Sequence, residues 1–97
     1  MTMPASAVRV ATPHASRYLA ALCGRLARSA PAQVSEDEGV IDLPFGPCHV
    51  SALPGSLALV VEADDQERLQ HLQWMVTGHL KRVAAKDPLD IEWTPVW

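Results

Sequence analysis

Two segments of helical periodicity, separated by the strand-like residues 33–63, most constrain the fold of this chain. The first runs from about residue 13 to 28 and the second from about residue 64 to 85. Each has apolar residues at intervals of three and four along one face, a pattern typical of an amphipathic helix. The predicted buried stripes are Ala15, Leu19, Leu22 and Leu26 in the first helix and Leu69, Leu72, Val76, Leu80 and Val83 in the second.

Polar and proline residues mark the starts of both helices and the end of the first. Thr12-Pro13 predicts the first start, because Thr is a good N-cap and Pro is tolerated at the first helical position. Asp64-Asp65 predicts the second start in the same way, with Glu67 in the first turn. Pro31 prevents the first helix from continuing. Each helix should therefore be an independent rod with one buried face.

The remaining segments alternate between apolar and polar residues, as strands do. We predict strands at Ala7–Ala11, Gln33–Ser35, Val40–Phe45, Cys48–Leu53, Leu57–Ala63 and Leu89–Trp93. Ile41, Leu43 and Phe45 should share one face of their strand. The element order is β-α-β-β-β-β-α-β. It predicts an α+β two-layer sandwich, a curved antiparallel sheet with both helices on one face, with a ferredoxin-like plait as the alternative.

Composition limits the chain to one small domain, residues 1–97, with an ordered core at about 6–94. Hydrophobic residues make up 48% of the chain, which is enough for a core. The formal net charge of −3 argues against nucleic acid as a partner. The longest uncharged run, residues 43–61, contains three prolines and two glycines, so it cannot be a membrane-spanning helix.

Two cysteines, Cys23 and Cys48, are too few for a disulfide framework and predict reduced thiols in the cytoplasm. Cys48 should face the core, where His79 of the second helix could meet it. A Cys–His pair there could be a nucleophile with its base, or, with Cys23, a set of ligands for zinc or iron. Against both functions, a free Cys is commonly a small core residue, and no CxxC or HxxxH spacing supports a metal.

Two further groups of residues are candidates for binding. His14, in the first turn of the first helix, could bind an anion with the free backbone N–H groups there, with Tyr18 one turn on; a solvated histidine is the alternative. On the second helix His71, Trp74 and Gly78 lie opposite the buried stripe. An exposed Trp with a glycine one turn away is typical of an interface, and it indicates a homodimer or another protein partner.

Four blocks of the sequence together resemble a bacterial family of unknown function, domain family 2218. They are residues 11–23, 41–48, 79–82 and 89–93. The resemblance implies a small α/β domain, similar to half of the TATA-binding-protein fold, with no established activity. It also implies an association with siderophore-interacting flavoproteins. Relatives often have His where this chain has Arg25, which weakens the case for a metal site using that position.

The sequence therefore leaves three functions open. The preferred one is a non-enzymatic binding or accessory module linked to iron or siderophore handling. The second is an enzyme that uses Cys48 and His79. The third is an adaptor that binds another protein through the face around Trp74.

Overall fold

One antiparallel sheet and two helices make up the fold, in the predicted order. The computed structural model describes residues 4–85 and 91–96. Its elements are β1 (Ala5–Ala11), α1 (Ala15–Leu26), β2 (Ala32–Val34), β3 (Glu38–Leu43), β4 (Gly46–Leu53), β5 (Ser56–Glu62), α2 (Gln66–Val83) and β6 (Thr94–Val96). The α+β class with two helices and a six-stranded antiparallel sheet is confirmed.

The six strands lie side by side in the order β2-β3-β4-β5-β1-β6. The first strand therefore pairs with β5 on one side and with the short β6 on the other. In the β1–β5 register Val8 is opposite Leu59, and Val10 is opposite Leu57. All four side chains are buried, because strand alternation turns them to the same side of the sheet. His49, next to Cys48 on β4, is exposed on the opposite side, as predicted.

Both helices contribute to a single hydrophobic cluster with the inner face of the sheet. Helix α1 packs against β2, β3, β4 and β5, whereas α2 packs against β1 and β5, and the two helices contact each other. Leu19 and Leu22 of α1 and Leu72 and Val76 of α2 have no exposed surface. Burial of aliphatic side chains contributes about 1.5–3 kcal/mol each, so this layer is the main source of stability. No helix in the described residues is long and apolar enough to cross a membrane.

The N-terminal caps agree with prediction at one helix and differ at the other. Asp65 caps α2, and its side chain accepts a hydrogen bond of 2.8 Å from the backbone N–H of Arg68. Helix α1 begins at Ala15, after His14, two residues later than predicted. Thr12 instead lies buried before the helix, where its Oγ1 accepts a hydrogen bond from the backbone N–H of His14. Its hydroxyl therefore orders the entry to α1 without being its N-cap.

The turn between β3 and β4 corrects the prediction for Phe45. Phe45 does not share the inward face of Ile41 and Leu43; it lies in the turn and is 37% exposed. The next residue, Gly46, has a φ of +149°, which side-chain-bearing residues rarely adopt. A Cβ there would also lie 1.8 Å from the backbone oxygen of Glu62. The turn therefore approaches β5 closely and points Phe45 away from the core.

The final strand also differs from prediction. Leu89 and Asp90 lie outside the described residues, and residues 91–93 have no strand pairing. The strand is Thr94–Val96, which pairs with the first residues of β1. Ile91 and Trp93 are partly buried and pack against the core cluster. Their apolar character thus reflects packing beside the sheet rather than strand alternation.

Candidate functional site

Three aromatic rings form a continuous strip along the outer side of α2. The Phe45 and His71 ring centroids are 4.8 Å apart and nearly perpendicular, and the His71 and Trp74 centroids are 6.1 Å apart. Trp74 is 76% exposed. We call Phe45, His71 and Trp74 the aromatic strip. It places the exposed indole of Trp74 in line with two further rings, and a rimmed apolar patch of this kind is typical of an interaction site.

A recess lies beside Trp74 on the side toward the C-terminal end of α2. Its volume is about 350 Å³, and its lining includes Trp74, Gly78, His79, Lys81 and Arg82. A Cβ built on Gly78 would have no atom within 4 Å, so the glycine leaves open space there. The recess is therefore wide enough to admit part of a large side chain and has basic residues at its edge.

A second recess lies at the opposite end of the strip. It has a volume of about 360 Å³ and is lined by Phe45, Asp65, Glu67, Arg68 and His71. Arg68 forms an ion pair of 3.2 Å with Asp64 and a longer one of 3.9 Å with Asp65. The aromatic strip thus lies between an end of α2 with a surplus of carboxylates and an end with a surplus of cations.

The two cysteines lie in the core, close enough to influence each other. Both have no exposed surface and both are free thiols. Burial raises the pKa of Cys48 to about 12, with a smaller contribution from the neighbouring Cys23. Burial also raises the pKa of Cys23. Since only the thiolate is a good nucleophile or metal ligand, this environment disfavours both functions at neutral pH.

The sulfur of Cys23 also fills a space beside β3. A Cβ built on Gly39 would lie 2.7 Å from Cys23 Sγ, which is closer than real Cβ contacts allow. Gly39 is itself buried and pairs with Val50 of β4. The thiol of α1 therefore packs directly against the strand backbone.

His79 lies between the helices, at the edge of the recess. Its Nδ1 accepts a hydrogen bond of 3.4 Å from Arg25 Nε of α1. Burial lowers the pKa of His79, and the positive charges of Arg25 and Arg82 lower it further. Its described hydrogen bond is therefore to Arg25 of α1 and not to Cys48.

The candidate metal ligands Cys23, Cys48 and His79 are thus divided between the core and the α1–α2 contact. Within residues 4–85 and 91–96, no three His, Cys, Asp or Glu side chains are grouped so that they could hold a metal ion. Each of the three candidates has a packing or hydrogen-bonding role that explains its place.

His14 and Tyr18 do come together at the start of α1. Their ring centroids are 6.1 Å apart in an edge-to-face arrangement. His14 is exposed, whereas Tyr18 is buried in the core cluster. The pair remains a predicted ligand-binding position, with one accessible ring and one buried ring.

The open face of the sheet carries a larger depression. It has a volume of about 600 Å³, and its lining includes Ala7, Arg9, Ala58, Val60 and Thr94. Its lining combines alanines with aliphatic and charged side chains, and no described aromatic side chain lines it. The outer side of α2 is therefore the stronger candidate for binding.

Sequence reasoning identified His71, Trp74 and Gly78 but missed the third ring and the partner of His79. Phe45 stands between Pro44 and Gly46, and this turn composition indicates an exposed residue more strongly than strand alternation does. Arg25 drew attention only through the family resemblance. Nothing in the sequence indicated that it would meet His79, because that contact depends on how the helices pack.

Comparisons with known proteins agree with this fold. A family model described as an uncharacterized protein conserved in bacteria, DUF2218, matches residues 7–94. Seven solved chains match the structure. One is the NMR structure of a Pseudomonas aeruginosa protein, with 30% sequence identity and a TM-score of 0.72, covering 97% of this chain and 96% of that one. No curated protein matches the sequence.

Proposed function

Because the chain belongs to the DUF2218 family of proteins conserved in bacteria, a family without an assigned activity, we propose that it is a non-enzymatic protein-binding module acting through the outer side of α2. The observation that carries this proposal is Trp74, a 76% exposed indole between two recesses. Trp is enriched at protein interfaces because its ring buries much apolar area while losing little conformational entropy.

The state of the candidate catalytic residues favours binding over catalysis. A Cys48 nucleophile would need a thiolate near neutral pH, yet burial raises the pKa of this thiol to about 12. A general base at His79 would need a free ring nitrogen directed at that thiol, and its Nδ1 accepts a hydrogen bond from Arg25 instead. Both features support binding over the Cys–His enzyme that the sequence left open.

The surface defines the chemistry of its partner. The partner needs an apolar recess for the Trp74 ring. It also needs a basic group opposite Glu67 and an acidic group opposite Lys81, both of which are exposed. Such rim charges contribute orientation and specificity more than affinity, whereas the buried ring contributes most of the binding free energy.

The cellular setting of this module is proposed from the resemblance and from the thiols. The resemblance supports a role in iron or siderophore handling, in association with a siderophore-interacting flavoprotein. Two free cysteines support the cytoplasm, because reducing compartments keep such thiols unpaired. In this proposal the chain contributes a binding surface and no resident metal.

Cross-linking inside bacterial cells tests the proposal. A photo-reactive amino acid replaces Gln70, which is exposed beside the strip, and in a control replaces Ala20, which is exposed on α1. We expect a defined protein adduct from position 70 that disappears in a Trp74→Glu background, with mass spectrometry identifying the attached protein. The absence of a Trp74-dependent adduct at position 70, or the same adduct from position 20, would overturn the proposal.

A further inference from the structure

We infer that the protein seated on the outer side of α2 is a second copy of this chain, with the two α2 helices antiparallel across a two-fold axis at Trp74. This inference rests on the proposed function and names the partner for the same surface. It follows from the charge pattern along α2 and from the shape beside Trp74.

The charges are placed symmetrically about Trp74. Glu67 and Lys81 are each seven residues from it, or about 10 Å along the helix axis. Seven residues return to within about 20° of the same helix direction, so all three side chains lie in one row. In an antiparallel pair centred on Trp74, Glu67 of each copy faces Lys81 of the other. A parallel pair would instead bring like charges together.

The surroundings of the row extend this complementarity. At the start of α2, Asp64 and Asp65 together outweigh the charge of Arg68, which pairs with both, and Arg82 adds positive charge at the end of the helix. A two-fold interface must be self-complementary, since the same surface is used by both copies. A helix with opposite charges at its two ends and an apolar centre meets this requirement.

The shape beside Trp74 fits the same arrangement. The indole contacts His71, so it leans toward the N-terminal end of its own helix, as helical side chains generally do. In an antiparallel pair this end lies beside the C-terminal part of the partner helix. There Gly78 of the second copy leaves open space in the 350 Å³ recess. Each indole can therefore enter the recess of the other copy.

Complementary charge reversals test the arrangement by sedimentation equilibrium of the full chain. We expect the wild type to dimerise with a dissociation constant in the micromolar to millimolar range. Glu67→Lys and Lys81→Glu alone should each weaken the dimer by about tenfold or more, because both ion pairs become like-charge contacts. An equimolar mixture of the two variants should form a heterodimer of nearly wild-type affinity. Arg17→Glu, an equal change of charge on exposed α1, should leave the dimer unchanged.

The mixture separates a charge effect from a folding effect. Each reversal also opposes the helix dipole and can weaken α2 itself. Lost helix stability cannot be restored by mixing, whereas lost complementarity can. A mixture that stays monomeric while wild type dimerises would therefore overturn the antiparallel arrangement.

Gly78→Leu tests the recess without endangering the fold. Leu is a better helix former than Gly, and a Cβ at this position has no atom within 4 Å, so circular dichroism should show an intact or more stable protein. We expect dimerisation to weaken at least tenfold, since the recess is filled. Unchanged dimerisation would contradict the predicted seat of the indole.

The second-copy inference and the proposed function fail in different ways. A wild type that stays monomeric at millimolar concentration overturns the second copy as partner. If position 70 then still cross-links to a different protein in a Trp74-dependent manner, such as a flavoprotein, the proposed function stands. An adduct with a second copy of the chain supports both.

Discussion

The inner and outer sides of α2 carry opposite kinds of apolar surface. On the inner side Leu72, Val76 and Leu80 have no exposed area, because the sheet and α1 cover them. On the outer side Trp74 is largely exposed, although its ring is larger than any of these side chains. Because they are buried, the inner residues stabilise the fold. The Trp74 ring is not buried, so a role in binding explains its presence better than a role in folding.

The largest expected effect is on the reactivity of the buried Cys48 thiol, compared with that of an exposed thiol. With the pKa of Cys48 near 12 rather than its usual 9.0, the thiolate fraction at pH 8 falls about a thousandfold. Native protein should therefore resist iodoacetamide at Cys48, whereas protein in denaturant should react readily. Rapid native alkylation of Cys48 at pH 8 would contradict the interior position and revive the enzyme hypothesis.

The raised pKa also predicts how stability depends on pH. The folded state holds the Cys48 proton more tightly than the unfolded chain does. The contribution of Cys48 to the free energy of unfolding is therefore complete below pH 9, and it is lost as the pH rises toward 12. Urea denaturation across this range should show a steeper fall in unfolding free energy for wild type than for Cys48→Ala. Equal slopes would show that Cys48 has no such linkage.

Truncating one buried and one exposed side chain of α2 tests the difference between its two sides. Leu72→Ala should lower the free energy of unfolding by about 2–5 kcal/mol, because it leaves a cavity in the core. Trp74→Ala should change it by less than about 1 kcal/mol, since an exposed side chain leaves no cavity. Urea denaturation of both variants measures the difference. Similar losses for the two would mean that Trp74 contributes to folding rather than to binding.

The turn that holds Phe45 outward should be sensitive to a single methyl group. Gly46→Ala places a Cβ against the Glu62 backbone in an unfavourable φ region and should cost at least about 1 kcal/mol. Gly55→Ala is the matched control, since Gly55 also has a positive φ, of +76°, but open space around it. Thermal unfolding should therefore show the larger loss at Gly46. Equal losses would assign the effect to φ alone.

The smallest expected effect lies at His79, on the border between the two sides. Removing the charge in Arg25→Gln should raise the pKa of His79 toward its ordinary value, as followed by NMR titration. Arg28→Gln, an exposed change in the same segment, is the control. Because folding lowers the pKa of His79, the contribution of this residue to the free energy of unfolding declines as the pH falls below about 6.5. Arg25→Gln should reduce that decline. An unchanged His79 pKa would mean that Arg25 does not influence it.

The sequence predicted what periodicity and capping determine locally. The stripe of α2, its Asp65 cap and the opposite orientations of Cys48 and His49 all follow from repeat length or side-chain chemistry. The exposure of Trp74 follows from its position opposite that stripe. These features depend on residues within a few positions of each other.

Features that depend on distant contacts could not be predicted in this way. The orientation of Phe45 depends on the approach of Gly46 to β5, and β6 is selected by pairing with β1 rather than by its own alternation. Trp93 is held by a 2.8 Å hydrogen bond from its Nε1 to Thr77 Oγ1 on α2, which no local pattern indicates. The contact between Arg25 and His79 likewise requires two packed helices.

The contact between Cys23 and Gly39 links two positions that are far apart in the chain. Since the sulfur occupies the volume that a side chain at 39 would need, the two residues share one space. Relatives that gain a methyl group on this strand should carry a smaller residue on the helix. We therefore expect these two alignment columns to vary together, with their combined volume held constant.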